Sequence, residues 1–197
     1  GAAVKSPVGI TPGPDGNLWF TDLGTWPAYA NPSIGRITPA GVSTAFTAAS
    51  ITAPEDIVAG PDGKLWFTDG TDIGRITTSG TITAITDPAI VTPNGITAGP
   101  DGNVWSTNRD RSSLSRTTPS GPTVTEVSGF RIRDPRSIVT GPDGDLWYGN
   151  VGSVGRITPG GSGATGSFVV DPGVSLPWGV AAGADGNVWF TDAVYNA

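Results

Sequence analysis

Histidine, cysteine and methionine are absent from all 197 residues. Without histidine or cysteine the chain cannot build a Ser-His-Asp triad, a Cys-His dyad or a histidine-ligated metal centre. Without cysteine there are no disulfides, so redox compartment cannot be read from the chain. A secreted and a bacterial cytoplasmic location are both compatible with it. Charge is sparse as well: only 14% of residues are charged, and acids outnumber bases for a net charge of -6. An acidic surface repels phosphate backbones, which argues against nucleic acid as a partner. No apolar run approaches the ~18 residues a membrane helix requires, so no membrane association is expected.

What the chain has in quantity is glycine (30) and proline (18), with seven tryptophans spread along it. The Gly and Pro recur with a period. The segment Gly13-Pro14-Asp15-Gly16-Asn17-Leu18-Trp19-Phe20-Thr21-Asp22 returns, with small changes, starting at Gly60, Gly99, Gly141 and Gly183. Its tryptophans, Trp19, Trp66, Trp105, Trp147 and Trp189, are therefore 47, 39, 42 and 42 residues apart. A second motif follows the first four copies: Ile34-Gly35-Arg36, Ile73-Gly74-Arg75, Leu114-Ser115-Arg116 and Val154-Gly155-Arg156. A Thr-Pro-x-Gly type of turn and a β-branched run, such as Val42 to Phe46, come next.

A period of ~40–45 residues with four short strands per unit predicts an all-β fold, a β-propeller of four-stranded antiparallel blades. Strand A is the Gly9-Ile10-Thr11 type of stretch, strand B is Leu18 to Thr21, strand C is Ile-Gly-Arg-Ile and strand D is the β-branched run. In Gly-Pro-Asp-Gly, proline presets φ, aspartate bonds its own backbone and glycine accepts a positive φ, which gives a tight A–B hairpin. Alternation sends Leu and Phe of strand B to one face of the blade and Trp and Thr to the other. The repeats run over 7–53, 54–92, 93–134, 135–176 and 177–197, four complete and a fifth that lacks strands C and D. Residues 1 to 5 are a candidate closing outer strand. An open blade leaves unpaired backbone edges. The preferred reading is that the chain is part of a longer propeller, with self-association through a second copy as the alternative.

The motifs Gly-Pro-Asp-Gly-Asn-Leu-Trp-Phe-Thr-Asp and Ile-Gly-Arg-Ile-Thr-Pro, and the x-Gly-Ile start of strand A, resemble the virginiamycin B lyase (streptogramin lyase) family of propellers over essentially the whole chain. That resemblance implies a usually seven-bladed ring. It also implies elimination chemistry that opens the ester-linked ring of type B streptogramins with a divalent metal, usually magnesium. The lyases use His and Glu side chains at the channel mouth. This chain has no His, and where the family often has Glu after Trp-Phe-Thr it carries Asp22, Asp69, Asn108, Asn150 and Asp192. Catalytic residues therefore do not carry over.

Strand direction puts the D–A connections and B–C loops at one end, the top, and the near-invariant A–B and C–D hairpins at the other. The residue after proline at the start of strand A varies freely: Val8, Glu55, Asn94, Arg136 and Trp178. One free position in a fixed frame is what a ligand funnel shows, and equally what drifting loops show. Glu55, Asp56, Asp69 and Asp72 gather at the top of the second repeat as candidate oxygen ligands for magnesium or calcium, or as a solvated acidic rim. Arg109, Arg111, Arg131, Arg133 and Arg136 gather in the third and fourth repeats. They can clamp a carboxylate or phosphate, or pair with Asp110 and Asp134. The long first B–C loop offers Trp26 and Tyr29 for stacking. The five repeat tryptophans are expected in the core, and Arg36, Arg75, Arg116 and Arg156 are expected to link adjacent blades. Gly161 to Gly166 fits G-x-G-x-x-G but has no helix after it, so it is read as a loop.

These residues favour a propeller that binds a small molecule or glycan at its top face over one that catalyses. The alternatives are a metal-dependent streptogramin lyase and a purely structural assembly repeat.

Overall fold

β-branched and aromatic residues between Gly-Pro-Asp-Gly turns leave the backbone little alternative to short antiparallel strands. The computed structural model describes residues 4–129, 131–159, 168–169 and 173–193. Gly161 to Gly166 lies outside them. The described residues form five antiparallel sheets, four of four strands and one of two. The first blade is β1 (Pro7–Pro12), β2 (Leu18–Asp22), β3 (Ser33–Ile37) and β4 (Ser43–Phe46). The second is β5 (Pro54–Ala59), β6 (Leu65–Asp69), β7 (Asp72–Ile76) and β8 (Ile82–Ile85). The third is β9 (Pro93–Ala98), β10 (Val104–Asn108), β11 (Ser113–Thr117) and β12 (Val124–Ser128). The fourth is β13 (Ile138–Thr140), β14 (Leu146–Asn150), β15 (Ser153–Ile157) and β16 (Phe168–Val169). The fifth is β17 (Pro177–Ala182) and β18 (Val188–Asp192). Strand order within each sheet follows the chain, as a meander must. Of the candidate closing strand, residues 1–3 lie outside the described residues; Lys5, and Ser6 after it, donate backbone N–H groups to the Asp22 carboxylate of the first blade, ahead of β1.

The alternation in strand B makes each blade two-faced. Trp19 and Ile34 of the first blade pack with Ile57, Leu65, Phe67 and Ile76 of the second. Trp66 and Ile73 pack with Ile96 and Val104 of the third, and Trp105 and Leu114 with Ile138, Leu146, Tyr148 and Ile157 of the fourth. One leading face carrying Trp thus meets one rear face of the next blade three times over, a face with Leu and an aromatic ring in the second and fourth blades and with Val104 and Ser106 in the third. The fourth and fifth blades face each other across a groove between Trp147 and Phe190, and among the described residues two further faces have no facing blade. On the rear of the first blade Ile10 is 63% exposed, and on the leading face of the fifth Trp189 is 62% exposed.

Strand C needs glycine because strand B places a ring across it. A Cβ at Gly35, Gly74 or Gly155 would fall inside the ring of Phe20, Phe67 or Tyr148 respectively. The third blade swaps this ring-and-glycine pair for two hydroxyls, Ser106 and Ser115, 2.6 Å apart. The repeated arginine lies flat on its blade's tryptophan, at 5.6 Å for Arg36 on Trp19 and 5.3 Å for Arg75 on Trp66. It then reaches onward: Arg36 Nη1 donates to Thr78 O at 3.1 Å and Arg75 Nη1 to Pro119 O at 3.0 Å, both in the next blade. These are the inter-blade links expected of the repeated arginine, seen for Arg36 and Arg75; Arg156 instead pairs with Asp143 and Asp145 of its own blade.

Candidate functional site

The free position at the start of strand A has a pinned backbone. Thr21 Oγ1 donates to Glu55 O at 2.7 Å, Thr68 Oγ1 to Asn94 O at 2.8 Å and Thr107 Oγ1 to Arg136 O at 2.8 Å. Each hydroxyl comes from strand B of the preceding blade. The same hydroxyls accept the N–H of Gly9, Asp56 and Gly95 in their own blades. Because the frame is held through backbone atoms alone, the side chain at this position can change without loosening the ring. Sequence reading missed these threonines. Their signal was their recurrence after Trp-Phe, which reads equally as strand propensity.

Four of the five free side chains make polar or aromatic contacts, in two groups: Glu55 with Asn94, and Arg136 with Trp178. Asn94 Nδ2 donates to Glu55 Oε2. Arg109 lies 3.4 Å from Asp110 and 3.5 Å from Asp134. Asp134 also takes Arg136 Nη2 at 2.8 Å, and the Arg136 guanidinium lies 4.2 Å from the Trp178 ring centroid. Arg136 Nε and Ser137 Oγ are buried with no hydrogen-bond partner among the described residues. Burial pushes the Glu55 carboxyl above its ordinary value, against the opposing pull of Arg109 and Asn94. Arg109, Asp110 and Trp178 face solvent, with 41% of the Arg109 side chain and 54% of Trp178 exposed. Glu55 is thus paired with Asn94 of the next blade, and Arg136 with Trp178 of the next, while the Arg109 charge acts on Glu55.

Other sequence candidates lie elsewhere. Val8 lines a side groove with Ile10, Phe20 and Ile37 on the rear of the first blade. Trp26 is 70% exposed and touches Tyr29 edge-on at 5.3 Å, on the long first loop. Arg111 turns outward to Glu126 at 2.8 Å and to Pro88 O at 3.1 Å, against its own outer strand. Arg131 lies over Phe168.

The acids of the second blade divide by task instead of converging. Asp69 accepts the N–H groups of Thr52 and Ala53 and the Thr52 hydroxyl, fastening the connection that leads into β5. Its counterparts do the same: Asp22 for Lys5 and Ser6, Asn108 for Val91, Asn150 for Arg133, and Asp192 for Ser175 and Leu176. Asparagine serves there because its amide also donates, to Ala89 O or Arg131 O, where aspartate only accepts. Asp56 accepts from Ile57 N and from Ile96 N of the next blade. Burial raises the carboxyls of Asp56 and Asp69, while the same burial at Asp22 is outweighed by the N–H donors of Ser6, Lys5 and Gly24 and its carboxyl sits low. Among the described residues no three metal-ligating side chains come together. Of the candidate set Glu55, Asp56, Asp69 and Asp72, Asp56 and Asp69 hold N–H and O–H donors of the fold and one Glu55 oxygen accepts from Asn94.

Similar proteins share this architecture. A streptogramin B lyase structure matches 97% of the chain and 64% of its own length at 27% identity, with a TM-score of 0.83. A catalytically inactive histidine-to-alanine variant of virginiamycin B lyase from Staphylococcus aureus, with quinupristin, matches 94% of the chain and 62% of its own at 32% identity and a TM-score of 0.81. The chain thus spans just under two thirds of these lyases. A gluconolactonase from Xanthomonas campestris shares the fold at 16% identity, a TM-score of 0.71, and coverage of 94% of the chain and 69% of its own. No curated protein sequence matches the chain. The virginiamycin B lyase family profile matches residues 2–90 and 85–197, so nearly every residue falls within it. The chain belongs to the virginiamycin B lyase family.

Proposed function

We propose that this chain binds a small molecule or glycan at its top face, through Glu55, Asn94, Arg109, Arg136 and Trp178, and that the chain alone does not catalyse ring opening. The observation that carries this reading is the pinned frame with free side chains, of which Glu55 pairs with Asn94 and Arg136 lies on Trp178 beside Asp134 and Arg109. The exposed Trp178 ring offers a stacking surface and the exposed Arg109 guanidinium a donor for an oxygen-rich ligand. Against catalysis stands the missing histidine: the related lyase loses activity when one histidine becomes alanine, and this chain has none to offer.

Quinupristin is the first probe, with a glycan array as the saccharide arm. Calorimetric titration is expected to give saturable binding of one of them, weakened about tenfold or more by Trp178→Ala and by Arg109→Ala. Elimination within the ring yields an isomer of unchanged mass, so the incubation with quinupristin and magnesium is resolved by chromatography. Unaltered quinupristin is the expected result. Appearance of the ring-opened isomer would establish the lyase alternative, and absence of binding to every probe would defeat the binding reading.

A further inference from the structure

In the third blade a guanidinium, a hydroxyl and a carboxylate meet beside the outer strand. Arg111 Nε and Nη2 donate to Glu126 Oε1 and Oε2 at 2.8 and 2.9 Å. Arg111 first, and the Ser113 hydroxyl after it, hold the Glu126 carboxyl low against the burial that would raise it. Ser113 Oγ in turn accepts Asn108 Nδ2 at 3.2 Å.

The fourth blade keeps this arrangement and omits the carboxylate. Ser153 stands in the place of Ser113 and accepts Asn150 Nδ2 at 2.7 Å. It is 5% exposed, and its own hydrogen finds no acceptor among the described residues. Phe168 lies opposite Gly155 as Glu126 lies opposite Ser115, so the register puts a ring where the third blade has its acid. Arginines come instead from the connection that leads to β13. Asn150 fixes Arg131 O and Arg133 N there, as Asn108 fixes Ala89 O and Val91 N. Two arginines thus replace Ala89 and Val91. The Arg131 guanidinium lies 5.7 Å from the Phe168 ring centroid, and neither arginine has a carboxylate partner among the described residues. Arg131, Arg133, Asn150, Ser153 and Phe168 line a hollow of ≈ 340 Å³.

We propose that this hollow is a second ligand site, which takes the carboxylate of a small organic acid or an acidic sugar in the place that the Glu126 carboxylate fills one blade earlier. Arg131 and Arg133 supply the N–H donors, as Arg111 does for Glu126, and Ser153 supplies the hydroxyl. Two unpaired guanidiniums side by side repel each other, and an anion between them removes that repulsion. On a chain with a net charge of -6 they are a local positive spot that draws an anion in. The hollow shares no lining residue with Glu55, Asn94, Arg109, Arg136 or Trp178, so it fills independently of the top-face site proposed above.

Propionate, which is the detached side chain of glutamate, is the first probe, titrated into ¹⁵N-labelled protein at constant low ionic strength. Galacturonate is the sugar arm and inorganic phosphate the competing anion. Arginine Nε–H signals are expected to shift at Arg131 and Arg133 and to saturate at about 1–10 mM. Arg131→Ala and Arg133→Ala should each weaken binding about fivefold or more. Phe168→Glu should supply the carboxylate internally and abolish propionate binding. Glu126→Ala vacates the equivalent place, and should create a propionate site that shifts the Arg111 signal while leaving the fold of the fourth blade untouched. Tighter binding of galacturonate than of propionate assigns the site to acidic sugars, and the reverse order to free organic acids. No saturation, binding unchanged in both arginine variants, or phosphate bound at least about tenfold more tightly than either carboxylate would overturn the proposal.

Discussion

Two kinds of blade interface coexist in one chain built from one motif. Between the first and fourth blades, Trp19, Trp66 and Trp105 are each 0% exposed, sealed by the rear face of the following blade. Beyond the fourth blade the same tryptophan loses its cover in steps: Trp147 is half-buried and Trp189 is 62% exposed. The local sequence scarcely differs, and the hairpin aspartate still takes the indole N–H in every blade. The difference teaches that burial here is a property of the neighbour. Each strand B makes half an interface, and its tryptophan becomes core only when the rear face of a following blade is laid against it.

The largest expected consequence is in stability. Trp66→Ala removes a fully buried ring from between two blades and should cost about 3–5 kcal/mol. Trp189→Ala removes a ring that is mostly in water and should cost less than about 1 kcal/mol. Urea unfolding followed by circular dichroism measures both. Equal losses would mean that the fifth blade is covered in solution, which would break the comparison.

A smaller contrast tests the other face. Gly74→Ala drives a methyl group into the Phe67 ring, which is fully buried and has nowhere to move. Overpacking of this kind should cost about 1–3 kcal/mol. Gly35→Ala makes the same collision with Phe20, but Phe20 borders the open groove of Val8 and Ile10 and can swing into it. Its cost should fall below that of Gly74→Ala in the same urea titration. A reversed order would show the first blade to be as tightly enclosed as the second.

Much of this could be read before the structure. Period, turn chemistry and alternation fix blades, strand order and the two-faced core, because they depend on local rules repeated five times. The expectation that all five repeat tryptophans are core fails at Trp189, since the sequence of one blade does not record whether the next is there. The shared place of Val8, Glu55, Asn94, Arg136 and Trp178 in the repeat was legible, but not that Glu55 pairs with Asn94 and Arg136 with Trp178 while Val8 lines a side groove. The separation of Arg111 from Arg109 was not, because two residues along one loop can turn to opposite sides. Asp69 stood among the candidate oxygen ligands, with an acidic rim as the other reading, although four equivalents in the repeat marked it as a fastening of the fold. Recurrence in every blade is itself the mark of a structural task, and departure from the repeat is the mark of a site.

The smallest expected effect sharpens the comparison at the hairpin aspartates. In the second blade, burial would raise the Asp62 carboxyl, but the Trp66 indole, the Lys64 side chain and the Lys64 amide N–H outweigh it and hold it below its usual value. A carboxyl lowered by folding binds fewer protons in the native than in the unfolded state. Its contribution is therefore complete above the ordinary aspartate range near pH ~4 and is lost as pH falls through the lower native value. Asp62→Asn keeps an acceptor for the indole and removes the charge beside Lys64 and Arg75, at a cost of about 0.5–1 kcal/mol near neutrality. The gap between the two proteins should narrow as pH falls below ~4 and close once it has passed the lower native value, where both are uncharged at this position. In the fifth blade, the Asn187 side chain and amide N–H, then the Trp189 indole, lower the Asp185 carboxyl, and with no described arginine beside it Asp185→Asn should shift stability less. Urea midpoints taken from neutral pH down through the aspartate range decide it. A gap that persists in acid would mean that Asp62 acts by shape and hydrogen bonding alone, with no part played by its charge.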